Sequence, residues 1–334
     1  MRRISIFLLA LCASLAAGVT TAKSYKGAEI FSNQSYLYGR YEMRMRVANA
    51  SGVLSTFFTY KNGSEIGNTF WEEIDIEVFG KNNATQWQSN VILGSSRPTL
   101  HTEQVHTAPQ SLADAYHTYV LEWTPDYVAW FVDGVEVRRI IGTSTVTSLT
   151  NAQSLRFNIW SSESAEWVGA WNDSVLPVYQ FVNYIDYKTY NATTKSFEAG
   201  WRDDFDTFDT SRWSKANWSF DGNRVDFAPE NALVKNGILV LALTKENAMG
   251  YAGTPPADEP ASSSSASSVA SSSSVASSSA ASSSMASSAP ASSKAASSTA
   301  TTGSNSGGGG GGGSIPLWGL LALSGLLLAG RGRK

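Results

Sequence analysis

The stretch WEEIDIEVFG at residues 71–80 holds the side chains whose types and spacing could do chemistry. From Glu73 to Glu77, acidic residues alternate with isoleucines, which is the pattern of a β-strand with one apolar and one polar face. Glu73, Asp75 and Glu77 then share the polar face. Three carboxyl groups in a row on one strand form a candidate catalytic site.

Two carboxyl groups can hydrolyse a glycosidic bond when one acts as nucleophile and the other as general acid, about 5 to 5.5 Å apart in retaining enzymes. A strand spaces the backbones of Glu73 and Glu77 by about 13 Å, so their side chains must lean inward over Asp75. Ionising neighbouring carboxyl groups raises their electrostatic free energy. This free energy is lowest when Asp75 shares a proton with a neighbouring carboxyl group and one Glu stays neutral.

Two other interpretations use the same acids. They could lie on a solvated strand face, or their oxygens could bind calcium. Acidic residues are depleted in strands and like charges side by side destabilise a sheet. A functional role is therefore favoured.

Composition limits the partners. The chain has 334 residues and a net charge of only −3, which argues against nucleic acid or another anionic polymer as partner. It contains 11 Trp, 13 Tyr and 14 Phe, several in polar segments, as expected where sugar rings bind. No nucleotide or metal-ligand motif is evident, so we expect no cofactor for catalysis.

The two ends of the chain suggest export. Residues 1–22 resemble a signal peptide with cleavage after Ala22, and Cys12, the only cysteine, lies within it. Residues 251–306 are rich in Ser and Ala and predict a disordered linker. Residues 307–334, with a glycine run, an apolar stretch and basic end, are similar to a sorting tail that holds an exported bacterial protein at the membrane transiently. The expected location is secreted or at the cell surface.

Between these ends, short alternating segments are separated by turns. Asp133-Gly134, for example, links two such segments as a hairpin. We see no long amphipathic helix. The pattern predicts an all-β sandwich or barrel.

Five segments match a known pattern: WEEIDIEVFG at 71–80, YGRYEMRM at 38–45, YHTY at 116–119, WFVDG at 130–134 and FNIW at 157–160. Together they resemble glycoside hydrolase family 16, especially its lichenases, which cleave mixed-linkage β-1,3-1,4-glucan. Many laminarinase-like members insert one residue before the last Glu of the acidic strand, whereas this sequence does not. The resemblance covers residues 25–246 and implies a concanavalin-like jelly roll of two curved antiparallel sheets.

The order of the segments is unusual. Residues 203–213 and 236–243 look like segments that most family members carry before the acidic strand, and here they follow it. The chain thus resembles the circularly permuted lichenases. A sandwich whose ends lie close together tolerates such a rearrangement. We expect residues 23–250 to form one catalytic domain, with 191–246 completing it.

The resemblance also implies roles for individual residues. Glu73 matches the nucleophile, Glu77 the acid/base, and Asp75 the residue that tunes both. Asn183, Asp204 and Gly237 match a structural calcium site. Tyr184 stands where relatives carry Trp. The positions that match the family's sugar contacts are Glu29, Phe58, Tyr60, Asn62, Trp71, Gln88, Asn90, Glu103, Arg156, Asn158, Trp160, Trp167, Tyr184, Trp218, Phe220 and Arg224.

These observations lead to one expectation and its rivals. We expect a secreted, monomeric, retaining endo-glucanase that hydrolyses β-1,4 bonds in mixed-linkage β-glucan. A xyloglucan- or laminarin-active enzyme of the same family is the second interpretation. A glucan-binding, lectin-like domain is the third, although a pure binder needs no nucleophile.

Overall fold

The computed structural model describes residues 22–95 and 98–258. The predictions for the signal segment before Ala22, for residues 259–306 of the linker and for the tail concern residues outside these ranges. No helix within them has the length and hydropathy needed to cross a membrane.

The described chain consists almost entirely of strands, so the all-β prediction is confirmed. Two single-turn α-helices, α1 (Ser144–Thr147) and α2 (Ala165–Val168), and four 3-10 turns interrupt them. The strands are β1 (Tyr25–Tyr36), β2 (Gly39–Arg46), β3 (Leu54–Tyr60), β4 (Phe70–Phe79), β5 (Gln86–Ser95), β6 (Leu100–His101), β7 (Gln104–Thr107), β8 (His117–Trp123), β9 (Tyr127–Val132), β10 (Val135–Ile141), β11 (Gln153–Trp160), β12 (Val178–Asn191), β13 (Ser196–Asp203), β14 (Trp213–Lys215), β15 (Asp226–Phe227), β16 (Ala232–Lys235) and β17 (Ile238–Lys245).

The strands form two antiparallel sheets. The front sheet has the order β14, β1, β11, β3, β4, β5, and both β6 and β7 pair with the far edge of β5. The back sheet has the order β10, β9, β8, β2, β12. Two further strands pair with β12: β17 with its first part and β13 with its last part. Strand β16 pairs with β17. The first residues of β1 also pair with β17 and, in parallel, with β15.

The core lies between the inner faces of the two sheets. From the front sheet, Ile74, Ile76 and Phe57 are buried in it, and from the back sheet Met43 and Leu241. Alternation along each strand turns every second residue into this core. The sheets thus form the predicted jelly-roll sandwich, and the polar face of β4 points away from the core.

Strands late in the sequence complete both sheets. In front, β14 pairs with β1; at the back, β13 and β17 pair with β12. Residues 196–245 therefore belong to the same sandwich as residues 25–191.

Residues 251–258, assigned above to the linker, lie against the back sheet instead. Asp258 accepts hydrogen bonds from Arg44 at 2.7 and 2.9 Å and from the side-chain amide of Asn183 at 2.8 Å. The hydroxyl of Tyr116 donates to the carbonyl of Pro256 at 3.0 Å. The composition of this segment gave no sign of these contacts, because they depend on side chains from distant strands. The folded domain thus extends to residue 258.

The Asp258 contact leads to a test of stability. Burial raises the pKa of Asp258, but hydrogen bonds from Arg44 and Asn183 outweigh it and leave the pKa below its usual value. The stabilisation is therefore present above the ordinary pKa of Asp and is lost as the pH falls through the lowered value. We expect Asp258→Asn to lower the free energy of unfolding by about 1 to 2 kcal/mol at neutral pH, and by progressively less as the pH falls below the ordinary pKa of Asp.

Thermal unfolding of the full chain at several pH values measures this difference. Asp126→Asn is the control, since the Asp126–Lys195 pair is mostly exposed. Equal unfolding temperatures for the two variants at neutral pH would contradict the assignment of residues 251–258 to the fold.

Candidate active site

The three predicted carboxyl groups lie together on the outward face of β4. Ile74 and Ile76 point into the core, which confirms the predicted alternation. Glu73 and Asp75 are 7% and 3% exposed, so these carboxyl groups are not solvated surface charges. Glu77 is partly buried. This excludes the interpretation of a solvated strand face.

Adjacent strands place polar and aromatic side chains beside each carboxyl group. Across β3, Tyr60 stands opposite Glu73 and Phe58 opposite Asp75. Across β5, Asn90 stands opposite Asp75 and Gln88 opposite Glu77. Side chains at directly opposed positions of an antiparallel pair share one face and lie in contact range. The register of the front sheet therefore assembles the site.

Each Glu accepts a hydrogen bond from a neighbouring indole or amide side chain. The indole N–H of Trp71 donates to Glu73 Oε2 at 2.7 Å. The amide of Gln88 donates to Glu77 Oε2 at 2.9 Å. Asp75 Oδ2 is buried and has no hydrogen-bond partner among the described residues. A buried oxygen without a donor favours the neutral carboxyl group over the anion.

Burial controls the charge of these groups. Burial raises the pKa of Glu73 to about 7, although hydrogen bonds from Trp71 and Asp75 lower it. Burial, followed by the charge of Glu73, raises the pKa of Glu77 to about 8. Burial and the charges of both Glu residues raise the pKa of Asp75 well above its usual value, and its hydrogen bond to Glu73 raises it further. Burial thus favours the protonated forms of Asp75 and Glu77, and Glu73 loses its proton at a lower pH than Glu77.

This distribution of protons matches what a double displacement requires. An ionised Glu73 can attack as a nucleophile, and a protonated Glu77 can donate to a leaving group. Asp75, kept neutral between them, donates a hydrogen bond to Glu73 and adds no negative charge.

Beside the carboxyl groups, a polar network crosses β1, β11 and the turn after β3. Arg156 donates to Glu29 Oε1 and to Asn62 Oδ1, each at 2.8 Å. Asn158 donates to Glu29 Oε2 at 3.0 Å. Burial raises the pKa of Glu29, while Arg156 and Asn158 lower it. The network holds four predicted sugar contacts in a fixed arrangement.

Predicted aromatic contacts form two groups. Near Glu73, the rings of Tyr60 and Trp71 meet edge to face with centroids 5.3 Å apart, and the guanidinium of Arg156 lies 4.6 Å from the Tyr60 ring. Beyond Glu77, Trp160 contacts Trp167 at 5.7 Å and Phe220 at 5.1 Å. Rings on both sides of the carboxyl groups are suited to stacking on the apolar faces of sugars.

Three further predicted contacts lie around these groups. The charge of Glu103, between β6 and β7, adds to the raised pKa of Glu77. Trp218 lies beside Phe31, with centroids 5.2 Å apart. Arg224 reaches the carbonyl of Glu163 at 3.5 Å.

Tyr184 does not join the site. It lies on β12 of the back sheet, where its hydroxyl donates to Glu42 at 2.9 Å and the guanidinium of Arg202 covers its ring at 3.6 Å. Glu42 belongs to the outward face of β2, opposite the core from the front sheet. The prediction that Tyr184 contacts sugar beside the carboxyl groups is wrong, because matching the sequence position did not account for the sheet on which it lies.

The predicted calcium ligands fit only in part. Asp204 is engaged by Arg202 at 2.7 Å, and the side-chain amide of Asn183 donates to Asp258. The carboxylate beside Gly237 is that of Asp206, whose Oδ1 would lie 3.9 Å from a Cβ at that glycine. Among the described residues, no cluster of three or more acidic, His or Cys side chains could hold a metal. A calcium ion here would therefore need backbone oxygens, with Asp206 in place of Asp204.

Sequence reasoning missed three residues at the site. The hydroxyl of Thr56, opposite Glu77, donates to Asn158 Oδ1 at 2.5 Å. Phe31 shares its face of β1 with Glu29 and lies 5.4 Å from the Arg156 guanidinium. Both could have been found from their even spacing to predicted contacts on the same strand. Tyr60 donates to Glu65 at 2.5 Å, but Glu65 is in a turn, where no periodicity applies.

Successive side chains of β4 point to opposite faces, and this places Glu72 away from the three carboxyl groups of the site. It precedes Glu73 but faces the core, where it is fully buried. The backbone N–H groups of Thr150 and Asn151 donate to its Oε2 at 2.8 and 3.0 Å, and the side-chain amide of Asn151 bonds to its Oε1. Its oxygens are saturated with donors, so it anchors the turn before β11 and has no part in the chemistry.

Comparison with known proteins shows the family. The model of the family "Glycosyl hydrolases family 16" matches residues 16–175. A beta-glucanase of Fibrobacter succinogenes is 47% identical over 260 residues, which cover 75% of this chain and 73% of that protein. This chain belongs to glycosyl hydrolase family 16.

Other family 16 relatives match over shorter spans. A beta-glucanase of Bacillus subtilis is 34% identical over 157 residues, covering 47% of this chain and 60% of that protein. The solved structure of a Bacillus licheniformis beta-glucanase is 32% identical, covers 49% of this chain and 71% of that chain, and has a TM-score of 0.42. The circularly permuted order of this family 16 chain stays a prediction.

The raised pKa of Glu77 leads to a test that needs no substrate. Between its ordinary pKa of about 4.5 and the raised value, the folded state keeps a proton that the unfolded state has lost. Stability therefore falls as the pH rises through that window, by at most about 1.4 kcal/mol per pH unit for one group. Glu77→Gln removes this loss, so we expect its unfolding temperature to exceed that of the wild type at pH 8 by more than at pH 5.

Glu136→Gln serves as the control, since Glu136 is exposed in an ion pair with Arg139 and its pKa is lowered. That variant should gain nothing at the higher pH. A difference between Glu77→Gln and wild type that is the same at both pH values would show that Glu77 titrates as an ordinary Glu.

Proposed function

We propose that this protein is a retaining endo-glucanase that hydrolyses β-1,4 bonds in mixed-linkage β-1,3-1,4-glucan. The observation that carries the proposal is the placement of Glu73, Asp75 and Glu77 side by side on one strand face, where Glu73 and Asp75 are buried and Glu77 is partly buried. The relatives named beta-glucanase support the substrate class. The direct alternation without an inserted residue favours the lichenase type over the laminarinase type.

In the first step, Glu77 protonates the oxygen of the scissile bond while a Glu73 oxygen attacks the anomeric carbon. The bond to the leaving sugar breaks, and a glycosyl ester forms on Glu73. Glu77 is then ionised and can take a proton from water. That water attacks the anomeric carbon, releases Glu73, and restores the proton to Glu77.

The hydrogen bonds around Glu73 support its role as nucleophile. Trp71 and Asp75 both donate to it, and both lower its pKa. Among the described residues, Glu77 accepts a side-chain hydrogen bond only from Gln88, and the charge of Glu103 nearby raises its pKa. The group with more donors is the better anion, and the group beside another acid is the better proton donor.

Binding of a neutral glucan chain follows from the rest of the site. The rings of Tyr60, Trp71 and Trp160 offer faces or edges for stacking, and Arg156, Asn158 and Gln88 offer donors for hydroxyl groups. Arg156, the cationic side chain of the network beside the carboxyl groups, is paired with Glu29, which offsets its charge. A neutral polysaccharide suits this surface better than a charged one.

The same proposal covers the context of the enzyme. We propose export through residues 1–22, flexible attachment of the catalytic domain through the Ser- and Ala-rich linker, and transient membrane association of the tail. Their support is sequence composition alone.

Hydrolysis of four polymers tests the function. We expect the full chain to release reducing sugar from barley β-glucan and much less from laminarin, xyloglucan or carboxymethylcellulose. Glu73→Gln should lower kcat by at least about 10⁴-fold, because an amide cannot act as nucleophile. The matched control is Glu136→Gln, which alters an exposed carboxyl group on the back sheet that is paired with Arg139.

The outcomes separate the alternatives. Strong activity on laminarin or xyloglucan would replace the substrate and keep the mechanism. Full activity of Glu73→Gln would overturn the assignment of the nucleophile. Binding of β-glucan by a wild type that hydrolyses none of the four polymers would favour the lectin-like interpretation.

A structural calcium ion, which we also propose, has a separate test. It would be held by Asp206 with backbone oxygens near Asn183 and Gly237, and it would stabilise the fold without entering the reaction. Chelator should lower the unfolding temperature of the wild type and of Asp204→Asn but not of Asp206→Asn. No effect of chelator on any of the three proteins would exclude this site.

A further inference from the structure

Two side chains of the back sheet cross the core and hold the front sheet from beneath the carboxyl groups. Trp130, on β9, is fully buried, and its indole N–H donates to the backbone carbonyl of Asp75 at 2.9 Å. Arg138, on β10, packs over the Trp130 ring at 5.1 Å. A hydrogen bond from a core side chain to the backbone of a strand in the opposite sheet fixes that strand at one residue.

A bulge directs Arg138 into the core. Glu136 pairs with Phe131 and Arg138 with Trp130, so Val137 is an extra residue in β10. A bulge of this kind changes which face the following side chains occupy. It places a guanidinium next to the indole, on the inner side of the sheet.

Arg138 holds the strands next to β4. One nitrogen of its guanidinium donates to the carbonyl and to the hydroxyl of Ser89, each at 3.0 Å, and another donates to the carbonyl of Thr102. The N–H of Thr102 in turn donates to the side-chain oxygen of Asn90 at 2.9 Å. Asn90 is the residue opposite Asp75 on the outward face. Arg138 therefore acts on the site through Thr102 and Asn90.

We propose that Trp130 and Arg138 form a clamp that positions Asp75 and Asn90, and so sets how Asp75 shares its proton with Glu73. The inference deepens the proposed hydrolase function and rests on it. Trp130 and Arg138 touch no substrate and are positioning residues. Their effect reaches the reaction through the backbone of β4 and the amide of Asn90.

An alternative explanation needs only the edge of the sheet. Among the described strands, β10 pairs only with β9, and an inward-pointing charge on an edge strand discourages the addition of another strand. That role would affect stability and aggregation. It would leave the proton distribution of the carboxyl groups unchanged, which is what separates the two explanations.

Several charged groups surround the parts of this clamp. His106 lies near Arg138, and burial followed by the Arg138 charge lowers its pKa to about 4, so it stays neutral in the range of interest. Beyond the three carboxyl groups themselves, the charged groups that act on them are Arg156 and Glu29, at Glu73, and Glu103, at Glu77. None of these bonds directly to Trp130, so replacing its indole changes the site through geometry.

The direction of the effect follows from the bond between Asp75 and Glu73. That hydrogen bond lowers the pKa of Glu73. If the strand is released at Asp75 the bond weakens and the pKa of Glu73 rises. Because catalysis needs Glu73 ionised, the acidic limb of the pH profile of kcat/KM should move to higher pH.

The experiment compares two Trp→Phe variants of the full chain. Trp130→Phe removes the donor to Asp75. Trp123→Phe is the matched control, because Trp123 is also fully buried but its indole nitrogen has no hydrogen-bond partner in the described structure. We expect Trp130→Phe to raise the acidic limb by about 0.5 pH unit and lower kcat about 3- to 10-fold, with KM changed less than about 2-fold. Trp123→Phe should lower the unfolding temperature without moving the profile.

Arg138 is tested with a graded pair. Arg138→Met should shift the profile in the same direction, and Arg138→Lys should shift it less, since an ammonium can replace one of the lost hydrogen bonds. The dependence of unfolding temperature on pH is measured for the same proteins, and it reports the carboxyl groups without any substrate.

Failure of the clamp proposal and failure of the proposed function give different results. If Trp130→Phe and Trp123→Phe lose similar stability and neither changes the pH profile, the clamp is overturned. If the wild type hydrolyses no glucan, the proposed function fails. The pH dependence of unfolding then still decides the clamp, which requires that Trp130→Phe alter it and Trp123→Phe not.

Discussion

Burying three carboxyl groups side by side on one strand is the constraint on which this structure depends. Each charged oxygen removed from water costs free energy, and each additional negative charge beside it costs more. The front sheet meets this constraint by keeping protons on Asp75 and Glu77 and by placing donors at Glu73. The arrangement that makes this burial tolerable also gives the two Glu residues different proton affinities, which is what the proposed double displacement requires of its nucleophile and its proton donor.

The neighbouring groups are consistent with this charge state. Arg156, whose charge lowers the pKa of Glu73, is bonded to Glu29 and Asn62, which limits the charge it adds to the site. Glu72 faces the core from the next position of β4 and is held by three donors of its own. The face of β4 on which an acidic side chain lies thus decides whether it is structural, as Glu72 is, or belongs to the candidate site. An acid with several fixed donors is structural, and an acid with one donor in a partly open site can exchange protons.

Much of the site could be predicted because alternation and register follow simple rules. The even spacing in β4 identified Glu73, Asp75 and Glu77, and the resemblance to a family supplied most of the side chains on β1, β3, β5 and β11. The prediction that Tyr184 contacts sugar was wrong because the position of a residue in the sequence does not show which sheet it joins. The Arg44–Asp258 contact and the inward orientation of Arg138 could not be predicted either, because both depend on the folded structure. The first links residues 214 positions apart, and the second depends on a bulge that leaves no mark in composition.

The proposed chemistry requires a proton on Glu77. Carbon-13 NMR of the labelled side-chain carboxyl group of Glu77 measures its charge state directly. Comparing wild type with Glu77→Gln assigns the signal, and titration from pH 4 to 9 gives the pKa without substrate or catalysis. We expect a transition near pH 8. In Glu73→Gln this transition should move to lower pH, because the neighbouring negative charge is gone. A transition below about pH 5, in the ordinary range for Glu, would contradict this expectation.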